Sequence, residues 1–103
     1  MNKILLTGAT GFLGAFILDE LLVNGYEVTI LKRYNSDLTR IHKHLDKIKI
    51  FEITASPISH IFEKTKFDSV VHLACCYGRN HESDIEIINS NILFGLELVQ
   101  NAI

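Results

Sequence analysis

The sequence lacks the long apolar runs of membrane-spanning proteins and the many cysteines of disulfide-bonded ones. Among its 103 residues it has no tryptophan, one proline and two cysteines. Its longest unbroken apolar run covers only residues 73–77, whereas a membrane span needs roughly 18 to 20 apolar residues. Lys3 precedes only a short apolar stretch before Gly8 interrupts it, so neither a membrane helix nor a signal peptide is expected.

Charge and cysteine placement exclude further classes. A formal net charge of −2 gives no reason to expect nucleic-acid binding, which usually requires a basic face. Cys75 and Cys76 are adjacent, and neighbouring side chains point apart, so we expect no disulfide framework and a cytoplasmic location. The five histidines do not fall at zinc-ligand spacings beside this pair. What remains is a single packed domain over residues 1–103, with 48% hydrophobic residues.

Short apolar runs alternate with longer helical stretches along the chain. The predicted strands cover residues 3–7, 27–32, 48–53 and 69–74. The predicted helices cover residues 12–24, 37–45 (capped by Ser36 or Asp37), 56–64 (capped by Ser56, with Pro57 first) and 82–103. This alternation predicts an α/β fold with a doubly wound parallel sheet. The expected strand order is 3-2-1-4, the first part of a Rossmann fold.

Helical spacing of apolar and polar residues predicts which faces are buried. The first helix is expected to bury positions that recur at threes and fours, namely Leu13, Phe16, Ile17 and Leu21. The last helix carries an apolar side formed by Ile85, Ile88, Ile92, Leu96 and Val99. In the second helix a solvated face is expected from His42, Lys43, His44 and Lys47.

The most informative stretch is the glycine-rich segment Thr-Gly-Ala-Thr-Gly-Phe-Leu-Gly at residues 7–14, between the first strand and the first helix. Gly8 allows a tight turn, Gly11 lets a pyrophosphate approach the backbone, and Gly14 lets the helix pack closely. The N–H groups at the helix start, with the positive end of its dipole, then hold the anion. We therefore expect Gly8, Thr10, Gly11, Phe12, Leu13 and Gly14 to contact a dinucleotide cofactor.

The glycine spacing resembles that of the extended short-chain dehydrogenase/reductases, the NAD-dependent epimerase/dehydratase family. Residues 7–14 match that family's fingerprint almost letter for letter, and residues 70–74 resemble its fourth strand and the start of its cofactor loop. The resemblance implies that Leu73, Ala74 and Cys75 lie near the cofactor and that Asn91 steadies it. It also implies a nucleotide-sugar substrate for the full-length protein, of which this chain matches the front part. The family often has Asp after the third strand, where this chain has residues 53–55, Ile-Thr-Ala, which leaves adenine recognition open.

The end of the second strand predicts the choice of cofactor. An acid at this position binds the ribose hydroxyls of NAD, whereas a basic residue suits the 2′-phosphate of NADP. Here Lys32 and Arg33 occupy the strand end, and no acid follows until Asp37. The sequence therefore favours NADP over NAD. The alternative is a solvated basic strand end without a role in cofactor binding.

The resemblance also implies a catalytic pair, Tyr-x-x-x-Lys, in which Lys lowers the pKa of the Tyr acid or base. None of the three tyrosines has Lys four positions later; Ile30, Leu38 and His81 stand there. In the family the pair falls beyond residue 103, so we expect no catalytic residue in this chain. The alternative is a non-catalytic dinucleotide-binding or regulatory module. We also expect a homodimer through the open edge of the fourth strand or the last helix.

Overall fold

The structure, a computed structural model, describes residues 2–53, 57–73, 83–88 and 94–102. The strands are β1 (Lys3–Thr7), β2 (Glu27–Lys32), β3 (Lys49–Glu52) and β4 (Ser69–His72). The helices are α1 (Phe12–Val23), a 3-10 helix (Thr39–His44), α2 (Ser59–Lys64), α3 (Asp84–Ile88) and α4 (Phe94–Ala102). None of the helices in these ranges is long and apolar enough to cross a membrane.

The four strands form one all-parallel sheet in the order β3-β2-β1-β4. This confirms the predicted fold class and strand order. The two central strands are apolar because helices cover both faces of a parallel sheet. Accordingly Leu5 and Leu6 of β1 and Ile30 of β2 are fully buried.

Successive residues of a strand point to opposite faces, and this alternation divides the core into two layers. On one face, α1 and the 3-10 helix pack on a cluster formed by Leu6, Ala9, Leu18, Val28, Ile30 and Ile41. On the other, α2 and α4 pack on a cluster formed by Leu5, Leu31, Ile58, Ile61 and Leu98. The carboxyl ends of the strands, with the loops that follow them, are thereby held along a single edge.

The predicted inner face of α1 is wrong in part. Leu13 and Phe16 are 59% and 57% exposed, and the buried positions of α1 are Gly14 and Leu18. Close packing of Gly14 on the preceding loop fixes which side of α1 faces the sheet. Leu13 and Phe16 are consequently turned to solvent.

The segment between β2 and β3 also differs from the prediction. It forms a 3-10 helix that begins at Thr39, and neither Ser36 nor Asp37 is its capping residue. The hydroxyl of Ser36 instead accepts a hydrogen bond from Arg33 N, and Asp37 Oδ1 accepts one from Thr39 N. His44, expected in a solvated face, has a side chain only 13% exposed that binds Asp19 of α1.

Two helix predictions after β3 also change. Helix α2 begins at Ser59 after Pro57, with Ile58 in the capping position, and Ser56 lies outside the described residues. The predicted helix over residues 82–103 is described as α3 and α4, with residues 89–93 outside the described ranges.

The apolar side predicted for the last helix is wrong at Ile85, Leu96 and Val99, and Ile92 lies outside the described residues. The side chains of Ile85, Leu96 and Val99 are exposed, whereas Leu98 is buried and Phe94 packs beside it. Contact of α4 with the second core cluster through these two side chains turns Leu96 and Val99 outward.

Candidate functional site

The glycine loop leaves β1 through a tight turn. Gly8 has a φ of 75°, a left-handed conformation that glycine adopts without steric cost. Gly11 N donates to Gly8 O at 3.1 Å, and Ala15 N then donates to Gly11 O at 3.0 Å, which opens α1. The predicted turn at Gly8 is therefore present, directly before the helix.

Gly14 is the point of closest packing between α1 and the loop. A Cβ on Gly14 would lie 1.8 Å from the carbonyl oxygen of Gly8, closer than atoms can approach. At Gly11, by contrast, the same atom would lie an acceptable 3.5 Å from that oxygen. Gly14 is thus required for packing, whereas at Gly11 the missing side chain leaves the backbone open on the loop's outer side.

The first turn of α1 has the features of an anion site. The capping residue Gly11 offers no side-chain hydrogen bond, and the turn contains no acidic residue. The first N–H groups of a helix have no partner within the helix, and here the capping residue supplies no side chain to replace one. The side chains of Phe12 and Leu13 are 70% and 59% exposed, so neither is buried in the core.

At the end of β2, the two predicted cations differ in environment. Lys32 Nζ lies 3.2 Å from Glu52 Oε1 and also donates to Arg33 O at 3.2 Å. The side chain of Lys32 is only 19% exposed. Arg33 is exposed, and its guanidinium has no hydrogen bond or ion pair within the described part of the chain. Lys32 therefore holds β2 to β3, whereas Arg33 is accessible.

A third cation, not predicted, reaches the glycine loop. Arg40 Nη1 donates to the carbonyl oxygen of Thr10 at 3.4 Å. The sequence did not indicate Arg40, because the residue that selects the cofactor is expected at the end of the second strand, at a characteristic distance from the glycine loop. The pairing of Lys32 with Glu52 was likewise missed, although both are the last residues of neighbouring parallel strands.

The end of β4 is joined to β1 through Thr7. Leu73 N donates to the hydroxyl of Thr7 at 3.0 Å, and this hydroxyl also lies 2.6 Å from His72 Nδ1. Partial burial lowers the pKa of His72 below its usual 6.5, which favours the neutral imidazole. Leu73 thus lies on the same edge as the glycine loop. The other predicted contacts on this side, Ala74, Cys75 and Asn91, lie outside the described residues.

No group of acidic, histidine or cysteine side chains within the described ranges is arranged to hold a metal ion. The site that the described residues form is therefore a backbone cradle flanked by cations.

Comparison with known proteins agrees with this geometry. The sequence profile of the NAD dependent epimerase/dehydratase family matches residues 4–102. CDP-abequose synthase from Salmonella muenchen is 33% identical over 96% of this chain and 32% of its own length. UDP-glucose 4-epimerase from Caenorhabditis elegans is 25% identical over 94% of this chain and 33% of its own length. The chain thus spans about a third of the length of these curated relatives.

Solved structures resemble the fold over nearly the whole chain. The UDP-Glc/GlcNAc 4-epimerase from Campylobacter jejuni has a TM-score of 0.83 at 23% identity, covering 98% of this chain and 33% of its own. Bordetella bronchiseptica WbmH, solved in complex with NAD+, has a TM-score of 0.81 at 23% identity, covering 99% and 35%. At these identities the likeness establishes the fold, and the family assignment rests on the profile match. The chain belongs to the NAD dependent epimerase/dehydratase family.

Proposed function

We propose that this chain is the dinucleotide-binding portion of a nucleotide-sugar epimerase, dehydratase or reductase. The observation that carries the proposal is the glycine loop at the start of α1, where Gly8 turns the chain and the capping residue Gly11 makes no side-chain hydrogen bond to the first turn. Such a helix start binds a pyrophosphate through backbone N–H groups. The family assignment and the names of the relatives, which include a synthase and an epimerase of nucleotide sugars, support the same function.

The described residues fit a dinucleotide at two points. The backbone of Gly11, Phe12 and Leu13 would hold the pyrophosphate, and Thr10 lies at the entry to the same turn. The segment after β2 would lie along the adenosine ribose, because the carboxyl ends of β1 and β2 share one edge of the sheet. We extend the proposal to Leu73, Ala74 and Cys75, expected near the cofactor, and to Asn91, expected to steady it, because the family resemblance implies these roles.

We further propose that NADP is preferred over NAD. The exposed guanidinium of Arg33 supports the preference, since Arg binds phosphate oxygens in a fork geometry. Lys32 supports it less directly, because its ammonium group is already paired with Glu52 at 3.2 Å. The nearest acid after β2 is Asp37, which lies beyond the strand end and whose Oδ1 already accepts hydrogen bonds from the backbone N and the hydroxyl of Thr39.

The bound nicotinamide would supply hydride donation and acceptance, while this chain's residues bind and orient the cofactor. No Tyr-x-x-x-Lys pair occurs in the sequence, so we propose that residues 1–103 bind cofactor without turning over substrate. In the whole protein we propose a cytoplasmic enzyme that acts on a nucleotide sugar. The alternative, a non-catalytic dinucleotide-binding or regulatory module, predicts the same binding by this chain but no Tyr-x-x-x-Lys in any continuation of it.

Calorimetric titration of the chain with NADPH and with NADH tests the proposal. We expect saturable binding of both, tighter for NADPH, and weaker binding of NADPH by Arg33→Ala. Glu63→Ala, which replaces an exposed residue of α2 on the other face of the sheet, is the matched control and should leave both affinities unchanged. Absence of binding to either dinucleotide would contradict the proposed function, and equal affinity for the two would contradict the NADP preference alone.

A further inference from the structure

Arg40 connects the two segments between which an adenosine ribose would lie. It belongs to the 3-10 helix that follows β2, and its Nη1 donates to Thr10 O in the glycine loop at 3.4 Å. The two residues are thirty positions apart in the sequence. Strands β1 and β2 are adjacent and parallel, so the loops after them meet at one edge of the sheet. The guanidinium of Arg40 therefore lies beside the loop proposed to hold the pyrophosphate, on its β2 side.

Arg40 keeps donors available for a second partner. A guanidinium carries five N–H donors in a planar fork, and the bond to Thr10 uses one of them. The nearest acid along the chain, Asp37, feels the charge of Arg40, but its Oδ1 is bound mainly by Thr39. Within the described residues no carboxylate oxygen lies within 4.0 Å of the Arg40 guanidinium.

Lys32, the cation that occupies the expected position at the strand end, is less suited to bind a phosphate. Its Nζ is held by Glu52 and by the carbonyl of Arg33, and its side chain is 19% exposed. A phosphate approaching Lys32 would also meet the negative charge of Glu52. Arg40, by contrast, is exposed, and its partner is a neutral carbonyl that holds the guanidinium without cancelling its charge.

We propose that Arg40 determines cofactor specificity by binding the 2′-phosphate of NADP, while the carbonyl of Thr10 holds the guanidinium in place. The assignment rests on the proposed dinucleotide-binding function. It makes Arg40 a phosphate ligand that distinguishes two cofactors differing only in that phosphate, and it makes Lys32 a structural residue.

The test compares Arg40→Gln with the wild-type chain by calorimetric titration with NADPH and NADH. Hydrogen bonds to charged groups contribute about 1.5 to 3 kcal/mol, so NADPH affinity should fall on the order of ten- to a hundredfold. NADH affinity should change by less than about threefold, because NADH has no charged group at that position. Arg40→Lys keeps the charge but not the fork and should give an intermediate NADPH affinity.

Lys47→Gln is the matched control: it removes one positive charge from an exposed position shortly after the same 3-10 helix and should leave both affinities unchanged. Far-UV circular dichroism and thermal unfolding establish that each variant is folded. An unchanged ratio of NADPH to NADH affinity in a folded Arg40→Gln chain would overturn the role of Arg40 alone. Failure of the wild-type chain to bind either dinucleotide would overturn the proposed function, and the role of Arg40 with it.

Discussion

Lys32 and Glu52, the last residues of β2 and β3, lie opposite each other in the sheet with Nζ and Oε1 3.2 Å apart. The pair neutralises a cation at the position where the sequence predicts a phosphate ligand. Breaking this pair by mutation of Glu52 should therefore have two separate effects, one on cofactor affinity and one on the stability of the fold.

Glu52→Gln should strengthen NADPH binding while leaving NADH binding unchanged. The substitution removes a negative charge that would repel the 2′-phosphate and frees Lys32, so we expect about a two- to fivefold gain for NADPH at low salt. The cost in stability should stay below about 1 kcal/mol, because the pair is partly exposed. Glu27→Gln, at the opposite end of β2 beside Lys49, is the control. A weaker NADPH affinity in Glu52→Gln would show that Glu52 itself contributes to binding.

Gly14→Ala should lower the stability of the fold, whereas Gly11→Ala should lower the affinity for the cofactor. The new methyl group at position 14 would overlap the carbonyl of Gly8, so the free energy of unfolding should fall by about 1 to 3 kcal/mol. At position 11 the methyl has room in the fold but lies where the pyrophosphate would approach, so stability should hold while affinity falls on the order of tenfold, or about 1.4 kcal/mol. Urea unfolding and cofactor titration measure the two effects. A Gly14→Ala chain as stable as wild type would contradict the packing described for α1.

The contact between Asp19 and His44 should produce a stability change in acid. The hydrogen bond from His44, with smaller contributions from nearby positive charges, lowers the pKa of Asp19 below 3.8. A carboxyl with a lowered pKa stabilises the fold above its unfolded pKa, and this contribution is lost as the pH falls through the folded value. Asp19→Asn should therefore have a lower urea midpoint than wild type at pH 5 to 7, with the difference closing below about pH 3.8.

Asp46→Asn replaces an exposed acid just beyond the 3-10 helix and serves as the control for Asp19. Its urea midpoint should follow that of the wild-type chain across the same pH range. A difference between Asp19→Asn and wild type that persists unchanged to pH 2 would contradict the coupling to ionisation.

His72 should also reduce stability on acidification, but at milder pH than Asp19. Because partial burial lowers its pKa below 6.5, the unfolded chain binds a proton more readily than the folded chain. Its contribution to stability is therefore full above about pH 6.5 and declines as the pH falls toward the folded pKa. His72→Gln should remove this decline, which thermal unfolding at pH 7.5 and 5.5 measures. An identical pH dependence in the variant and the wild type would show that His72 is not the titrating group.

Self-association remains a prediction. In the described part of the chain β4 pairs only with β1, and α4 exposes Leu96 and Val99 by 55% and 56%. Open strand edges and apolar helix faces both favour association, so we expect dimers in light scattering at high concentration. Val99→Glu should dissociate a dimer formed through α4 and should not affect one formed through β4. Val23→Glu on α1 is the control, and a monomer at all concentrations would contradict both routes.

The sequence was most informative where one local rule determines the structure. Alternation of apolar runs predicts the bounds of β1 and β2, and a glycine with positive φ marks the loop before α1. Sequence was less informative where contacts distant in the chain decide the outcome. The exposure of Phe16 follows from the contact of Gly14 with Gly8 rather than from helical spacing, and the role of Lys32 depends on a partner twenty residues away. No sequence pattern indicated the contact of Arg40 with the glycine loop, because its position depends on the 3-10 helix that replaces the predicted α-helix.

That 3-10 helix is held at two separate places, one on α1 and one on the glycine loop before it. His44 at its end binds Asp19 in the middle of α1, and Arg40 near its start binds Thr10 just before α1 begins. Arg40, the proposed phosphate ligand, and His44, whose partner Asp19 lies on α1, are thus carried by the same short helix. A substitution of Asp19 would remove one of these two attachments and leave Arg40 less well oriented. A change remote from the nucleotide would then alter the ratio of NADPH to NADH affinity.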